Sequence, residues 1–117
     1  MLNHLHVWSA EALAISLLMG HFVGDFVLQN DRLAIEKCPG KDYTLAWQWW
    51  MLGHTSCHGL LVLLFTSSAV LGLFEMTLHF LIDYLKCEGK FNLLVDQILH
   101  ILCKFLWVYL FFEFIFN

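Results

Sequence analysis

A chain of 117 residues has room for one domain. Its residues are 60% hydrophobic and only 14% charged, and its mean hydropathy is +0.69, far from an average soluble domain. The net charge of −4 argues against a nucleic-acid partner, and no basic run suggests polybasic lipid recognition. What remains is an all-α polytopic membrane protein with the lipid bilayer as its partner. The plainer rival is a soluble helical bundle with an unusually apolar surface.

In chain order, the start Met1-Leu2-Asn3-His4-Leu5-His6 lacks the basic n-region of a signal peptide, and no A-x-A cleavage pattern follows the first apolar run. The first hydrophobic segment is therefore expected to stay in the mature protein. Four segments approach the ~20 residues that cross a bilayer as a helix. They are about 8–28, 44–66, 68–86 and 92–116. Between the first two lies a polar connector, 29–43, with the turn signal Pro39-Gly40 and a first half suited to a short interfacial helix. Ser67-Ser68 allows only a tight turn, and Cys87 to Phe91 is short as well. Short connections make successive helices antiparallel neighbours, so an up-down four-helix transmembrane bundle is expected over residues 1–117.

Arg32, Lys37 and Lys41 lie in the first connector, and Lys86 and Lys90 flank the third. By the positive-inside rule, connectors 29–43 and 87–91 face the cytoplasm and both termini lie outside. Trp47, Trp49 and Trp50 fit an aromatic belt at that interface, and Trp8 fits the other. Cys38, Cys57, Cys87 and Cys103 do not read as a disulfide framework, since two lie in connectors assigned to a reducing compartment and two within spans. Small apolar filler is their simplest reading, with a minor ligand role open for Cys57 and Cys103.

Each span carries one pair of polar residues four apart, on one helix face. The pairs are His21/Asp25, His54/His58, His79/Asp83 and Asp96/His100. In the fourth span the order is reversed, and so is the direction of the helix. The antiparallel fold therefore predicts a layer of Asp25, His54, Asp83 and Asp96 nearer the connectors. One turn deeper, roughly 6 Å, comes a layer of His21, His58, His79 and His100.

Three carboxylates facing one another repel strongly in a low dielectric, and no cation is evident in their layer. Either some are protonated or a cation sits between them. Imidazole and carboxylate are ligand types for zinc, manganese or iron, and the eight residues would suit one or two divalent ions, zinc foremost. With one ion held mainly by histidines, the aspartates would orient the rings. A metal-free network of polar residues and a haem between facing histidines are the alternatives. Gly20, Gly24, Gly53, Gly59 and Gly72 could make room for a macrocycle or, more simply, allow close helix packing.

Glu75 lies four residues before His79 and Lys104 four after His100, which predicts a buried Glu75–Lys104 ion pair just beyond the histidines. The functional alternative makes Glu75 a general base or a further ligand. Gln29 and Gln97 lie at the cytoplasmic rim, where they could contact substrate or merely water. His4 and His6 receive no role.

The ordered set H-x3-D-F-x2-Q (His21, Asp25, Phe26, Gln29), H-x3-H (His54, His58), H-F-x2-D-x2-K (His79, Phe80, Asp83, Lys86) and D-Q-x2-H (Asp96, Gln97, His100) resembles the membrane family known as domain of unknown function 3307. Lys37 also matches, and the resemblance covers about residues 18–104. It implies a small bacterial or bacteriophage inner-membrane protein and supplies no activity. A looser likeness, of site type only, is to membrane-bound metal-dependent hydrolases.

Three functions follow as expectations. The first is a metal-dependent hydrolase acting on a lipid or amphiphilic ester, phosphate or amide near the cytoplasmic leaflet. The second is a transporter or channel for divalent cations or protons, which a homo-oligomer would help to build. The third is a non-catalytic module with a structural metal that binds a protein partner.

Overall fold

The computed structural model describes residues 9–115; Trp8, His4, His6 and the end of the fourth expected span lie outside the described residues. All the regular structure described is helical, with no strand among the described residues. Helix α1 (Ala10–Phe22) runs on as a π-helical turn, Val23–Val27. Helix α2 (Asp31–Glu36) occupies the first half of the polar connector. Helices α3 (Trp47–Thr66), α4 (Ala69–Cys87) and α5 (Leu93–Leu110) follow, and α5 also continues as a π-helical turn, Phe111–Ile115.

Local chemistry sets these limits. The side chains of Ser9, Asn30, Ser68 and Asn92 each accept a hydrogen bond from an amide in the first turn of α1, α2, α4 and α5. Helix α3 starts at Ala46, which has no such side chain, and Asp42 instead accepts from the Trp47 amide at 2.9 Å. Ser67 adopts a left-handed conformation (φ 55°) that closes α3 and lets Ser68 begin α4 at once.

The four long helices pack in a ring, α1 on α3, α3 on α4, α4 on α5, and α5 back on α1. Where α3 crosses α4, Gly59 and Gly72 bring the backbones together: a Cβ at Gly72 would stand 2.9 Å from the Gly59 carbonyl oxygen. At the Ser67 end the interior is apolar, built from Leu13, Leu17, Val62, Leu71, Trp107 and Phe111. At the connector end it is polar. Across the described residues, eight buried side chains are apolar and fifteen are polar or charged, whereas large hydrophobic residues crowd the outside.

Two findings correct the sequence reading. By length and composition two helices, not four, qualify as membrane spans: Ala10–Val27 (mean hydropathy 1.4) and Leu93–Ile115 (1.9). The polar end of α3 (Gln48, His54, Thr55, Ser56, His58) and the charges of α4 (Glu75, Asp83, Lys86) lower those two helices. Second, Cys38 and Cys87 form a disulfide, with Cα atoms 5.3 Å apart, joining the first connector to the end of α4. A disulfide was not expected, because both cysteines lie in connectors assigned to a reducing compartment; they are 49 residues apart in sequence. Cys57 and Cys103 are free.

The connector is locked by a buried acid. Glu36 is fully buried and accepts from the amides of Tyr43 (2.7 Å) and Thr44 (2.6 Å) and from the Thr44 hydroxyl. Desolvation raises its proton affinity, but the Thr44 and Tyr43 amides outweigh that and hold the carboxyl below its usual 4.5. A carboxyl lowered by folding contributes stability above its ordinary value and loses it as pH falls through the folded one. Proteolysis within 37–46 is therefore expected to be slow at pH 7 and to accelerate below about pH 4.5. Glu36→Gln should make cleavage fast at both pH values. Gly72→Leu, which forces α3 from α4, should lower stability by about 1–3 kcal/mol in detergent, measured by thermal unfolding.

Candidate metal centre

Asp25 lies in the π-helical turn that ends α1, a wider turn of the kind often found at functional sites. Its Oδ1 atom is the meeting point of the polar interior. Three imidazole nitrogens stand around it: His58 Nε2 at 2.9 Å, His54 Nε2 at 3.2 Å and His79 Nε2 at 3.3 Å. His54 and His79 approach each other to 3.2 Å through the same nitrogens. Gly24 makes this possible, because a Cβ there would lie 2.6 Å from the His58 ring.

Asp25 Oδ1 and His58 Nε2, although 2.9 Å apart, are both buried and make no hydrogen bond to any described residue. Three imidazole nitrogens thus converge on one carboxylate oxygen. Four ligands tetrahedrally placed around an ion at 2.0–2.1 Å are separated by about 3.3 Å. The three distances from Asp25 Oδ1 and the His54–His79 distance, 2.9–3.3 Å, sit at or just under that spacing, and all four ligand atoms lie within 4.8 Å of one another. These four buried residues could hold a metal ion.

Their outer partners fix the orientation. Glu75 accepts from His79 Nδ1 at 3.1 Å, leaving Nε2 with its lone pair toward the shared point. Glu75 also accepts from Lys104 Nζ at 2.7 Å and from Trp107 Nε1 at 2.6 Å, so both its oxygens are engaged. Asp25 Oδ2 accepts from the Gln97 amide at 2.8 Å, leaving Oδ1 for the centre.

The remaining expected residues surround this core. His58, His79 and His100 form a stacked row with ring centroids 3.8 and 4.0 Å apart. His21 donates to Gln97 Oε1 at 2.8 Å. Asp83 Oδ1 lies 2.9 Å from His100 Nε2, and its Oδ2 lies 3.2 Å from His54. Asp96 meets the same His100 nitrogen at 3.4 Å and accepts from the Gln97 amide at 3.0 Å. His21, His79 and His100, and Asp25, Asp96 and His100, make two further groups with ligand atoms within 4.8 Å. The two expected layers thus interlock, because His58 and His79 reach Asp25 in the other layer. Gln29 bonds Lys37 and the Asp25 carbonyl, and Gln97 sits inside the cluster rather than at its rim.

Lys37 corrects the expectation that no cation serves the carboxylates. The turn after α2 folds this connector residue inward, and its Nζ donates to Asp83 Oδ2 at 2.8 Å and to Gln29 Oε1 at 2.6 Å. The H-x3-D-F-x2-Q motif with its following lysine carried that signal; spacing alone did not show that the connector turns back.

Lys104→Met strands Glu75 as a buried charge with only neutral donors. It should cost about 3–5 kcal/mol by thermal unfolding in detergent. The double variant Glu75→Gln/Lys104→Met should recover most of that loss.

No curated protein and no solved structure matches the chain. A family model described as a protein of unknown function matches residues 13–116. The chain belongs to that family, DUF3307.

Proposed function

We propose that this chain is a membrane-embedded metalloprotein that binds a divalent ion, zinc foremost, on Asp25, His54, His58 and His79, and that it acts as a metal-dependent hydrolase. The observation that carries the metal reading is the convergence of three Nε2 atoms on one carboxylate oxygen, with Asp25 Oδ1 and His58 Nε2 both buried and left without a hydrogen bond among the described residues. Charge supports it. Asp25, Glu75, Asp83 and Asp96 face two buried ammonium groups, Lys37 and Lys104, which leaves two negative charges for one divalent ion. Two protonated histidines would also balance the charge. His100, 2.9 Å from Asp83, is placed for that role; the orphaned Asp25 Oδ1 and His58 Nε2 favour the ion.

All four long helices cross the bilayer in this reading. Helices α3 and α4 bury His54, Thr55, His58, Glu75, His79 and Asp83 inside the bundle and expose Leu52, Leu60, Leu64, Val70, Leu73, Phe74 and Leu81. The long dimension of 46 Å matches a bilayer of ~40–45 Å with its headgroups. We place the connector face in the cytoplasm, because loop charge acts during insertion, before thiols pair, and Arg32, Lys41, Lys86 and Lys90 all lie on that face.

An ion on these four residues that expanded to five-coordinate would supply an acidified water and polarise the scissile group of an ester, phosphate or amide. Hydrolysis is favoured over a structural metal because Asp96, His100, His21 and Asp83 are further buried donors beyond the four a closed site needs. Transport through one chain is disfavoured. Beyond the histidines, the Glu75–Lys104–Trp107 network ends in the apolar cluster of Leu13, Leu17 and Phe111.

Protein purified in detergent without chelator should carry one equivalent of metal by mass spectrometry. Asp25→Asn and His58→Ala should lose it, and Gln29→Ala should keep it. Hydrolysis of amphiphilic esters and phosphates in mixed micelles should disappear in the same two variants. Metal-free parent protein would sink the metal reading, and firm metal without turnover of any substrate class would leave a structural centre.

A further inference from the structure

Asp25 has two oxygens, and only Oδ1 belongs to the centre described above. Its Oδ2 faces Asp96, and both carboxylates direct an oxygen at one atom, the Gln97 amide nitrogen, at 2.8 and 3.0 Å. Two buried anions meeting at a neutral amide are poorly compensated. At the same spot the buried Asp96 Oδ1 makes no hydrogen bond to any described residue and lies 3.4 Å from His100 Nε2. Asp25, Asp96 and His100 bring ligand atoms within 4.8 Å of one another.

We propose that Asp25 bridges two ions, and that a second divalent cation binds on Asp25, Asp96 and His100 together with a phosphate monoester, the Gln97 side chain giving way. This rests on the first ion being bound by Asp25, His54, His58 and His79. Three protein ligands leave a coordination position open, as catalytic sites do and closed structural ones do not. The charge selects the co-ligand. One divalent ion neutralises the buried cluster, so a second adds two positive charges that must be matched by an anion. A phosphate monoester carries about −1.5 to −2 at pH 7 and offers three acceptor oxygens. A carboxylic ester or amide brings no such charge, which narrows the proposed hydrolase to phosphate monoesters. A free monoester and the headgroup of phosphatidate share this chemistry.

The test counts zinc by mass spectrometry after gel filtration of full-length protein in detergent, with methyl phosphate, with phosphatidate in mixed micelles, and with neither. One equivalent is expected with neither, and two with the phosphate ligand. A second equivalent with both ligands assigns recognition to the phosphate group; with phosphatidate alone it assigns a lipid headgroup. Asp96→Asn should keep the first equivalent and lose the second. Gln97→Ala, which removes the competing amide, should tighten the second ion by about tenfold, a gain that a folding defect would not produce. One equivalent under every condition, or a second equivalent unaffected by Asp96→Asn, overturns the second site alone. No zinc in the parent overturns both readings.

Discussion

The fold depends on one requirement: four carboxylates must be kept inside a bundle whose outside is apolar. A carboxylate away from water costs several kcal/mol unless a cation or several donors meet it. Every unusual feature of the connector end answers to that cost. Lys104 and Trp107 serve Glu75, Lys37 serves Asp83, and Gln97 links Asp25 to Asp96. Asp25 Oδ1 alone is met by three nitrogens and bonded by none. The molecule is therefore asymmetric along its length, with an apolar half that closes the bundle and a polar half that has charge to dispose of.

Much of this was legible in the sequence because helices convert spacing into depth. A four-residue separation places two side chains on one face whatever surrounds them. Reversal of the His/Asp order in α5 matches the reversal of its direction, so the eight site residues could be placed at one end before any contact was known. Glu75 and Lys104 follow from the same arithmetic, and they stand 2.7 Å apart. Spacing fixes the level of a residue but not its partner. It could not show that His58 and His79 reach across to Asp25, or that Gln97 turns inward.

The connector was opaque for a different reason. Residues 29–46 contain only six in an α-helix, so no period relates them to the bundle. Lys37 and Cys38 looked like ordinary loop residues, and a lysine there is normally solvated. Their roles depend on a tertiary return: α2 packs on α3, Glu36 gathers the amides of Tyr43 and Thr44, and Cys38 is bonded to Cys87. Mean hydropathy averages around a helix, so the inward-facing polar residues of α3 and α4 lower it as much as lipid-facing ones would.

The placement of the disulfide next to Lys37 has an energetic consequence. A lysine on a free loop of this length would lose much backbone and side-chain entropy on reaching a buried aspartate, roughly 1–2 kcal/mol for each residue ordered and a comparable amount for its own side chain. Here Cys38 follows Lys37 directly, and Cys87 lies one turn beyond Asp83 on the same helix. The covalent bond thus holds both members of the ion pair within reach, and Glu36 fixes the chain on the other side of Lys37. Ordering is largely complete before the ammonium group meets the carboxylate. The same arrangement makes Lys37 a fixed charge rather than a mobile one. Two buried lysines at set positions leave four buried carboxylates with two negative charges in excess, the amount that one divalent ion would balance.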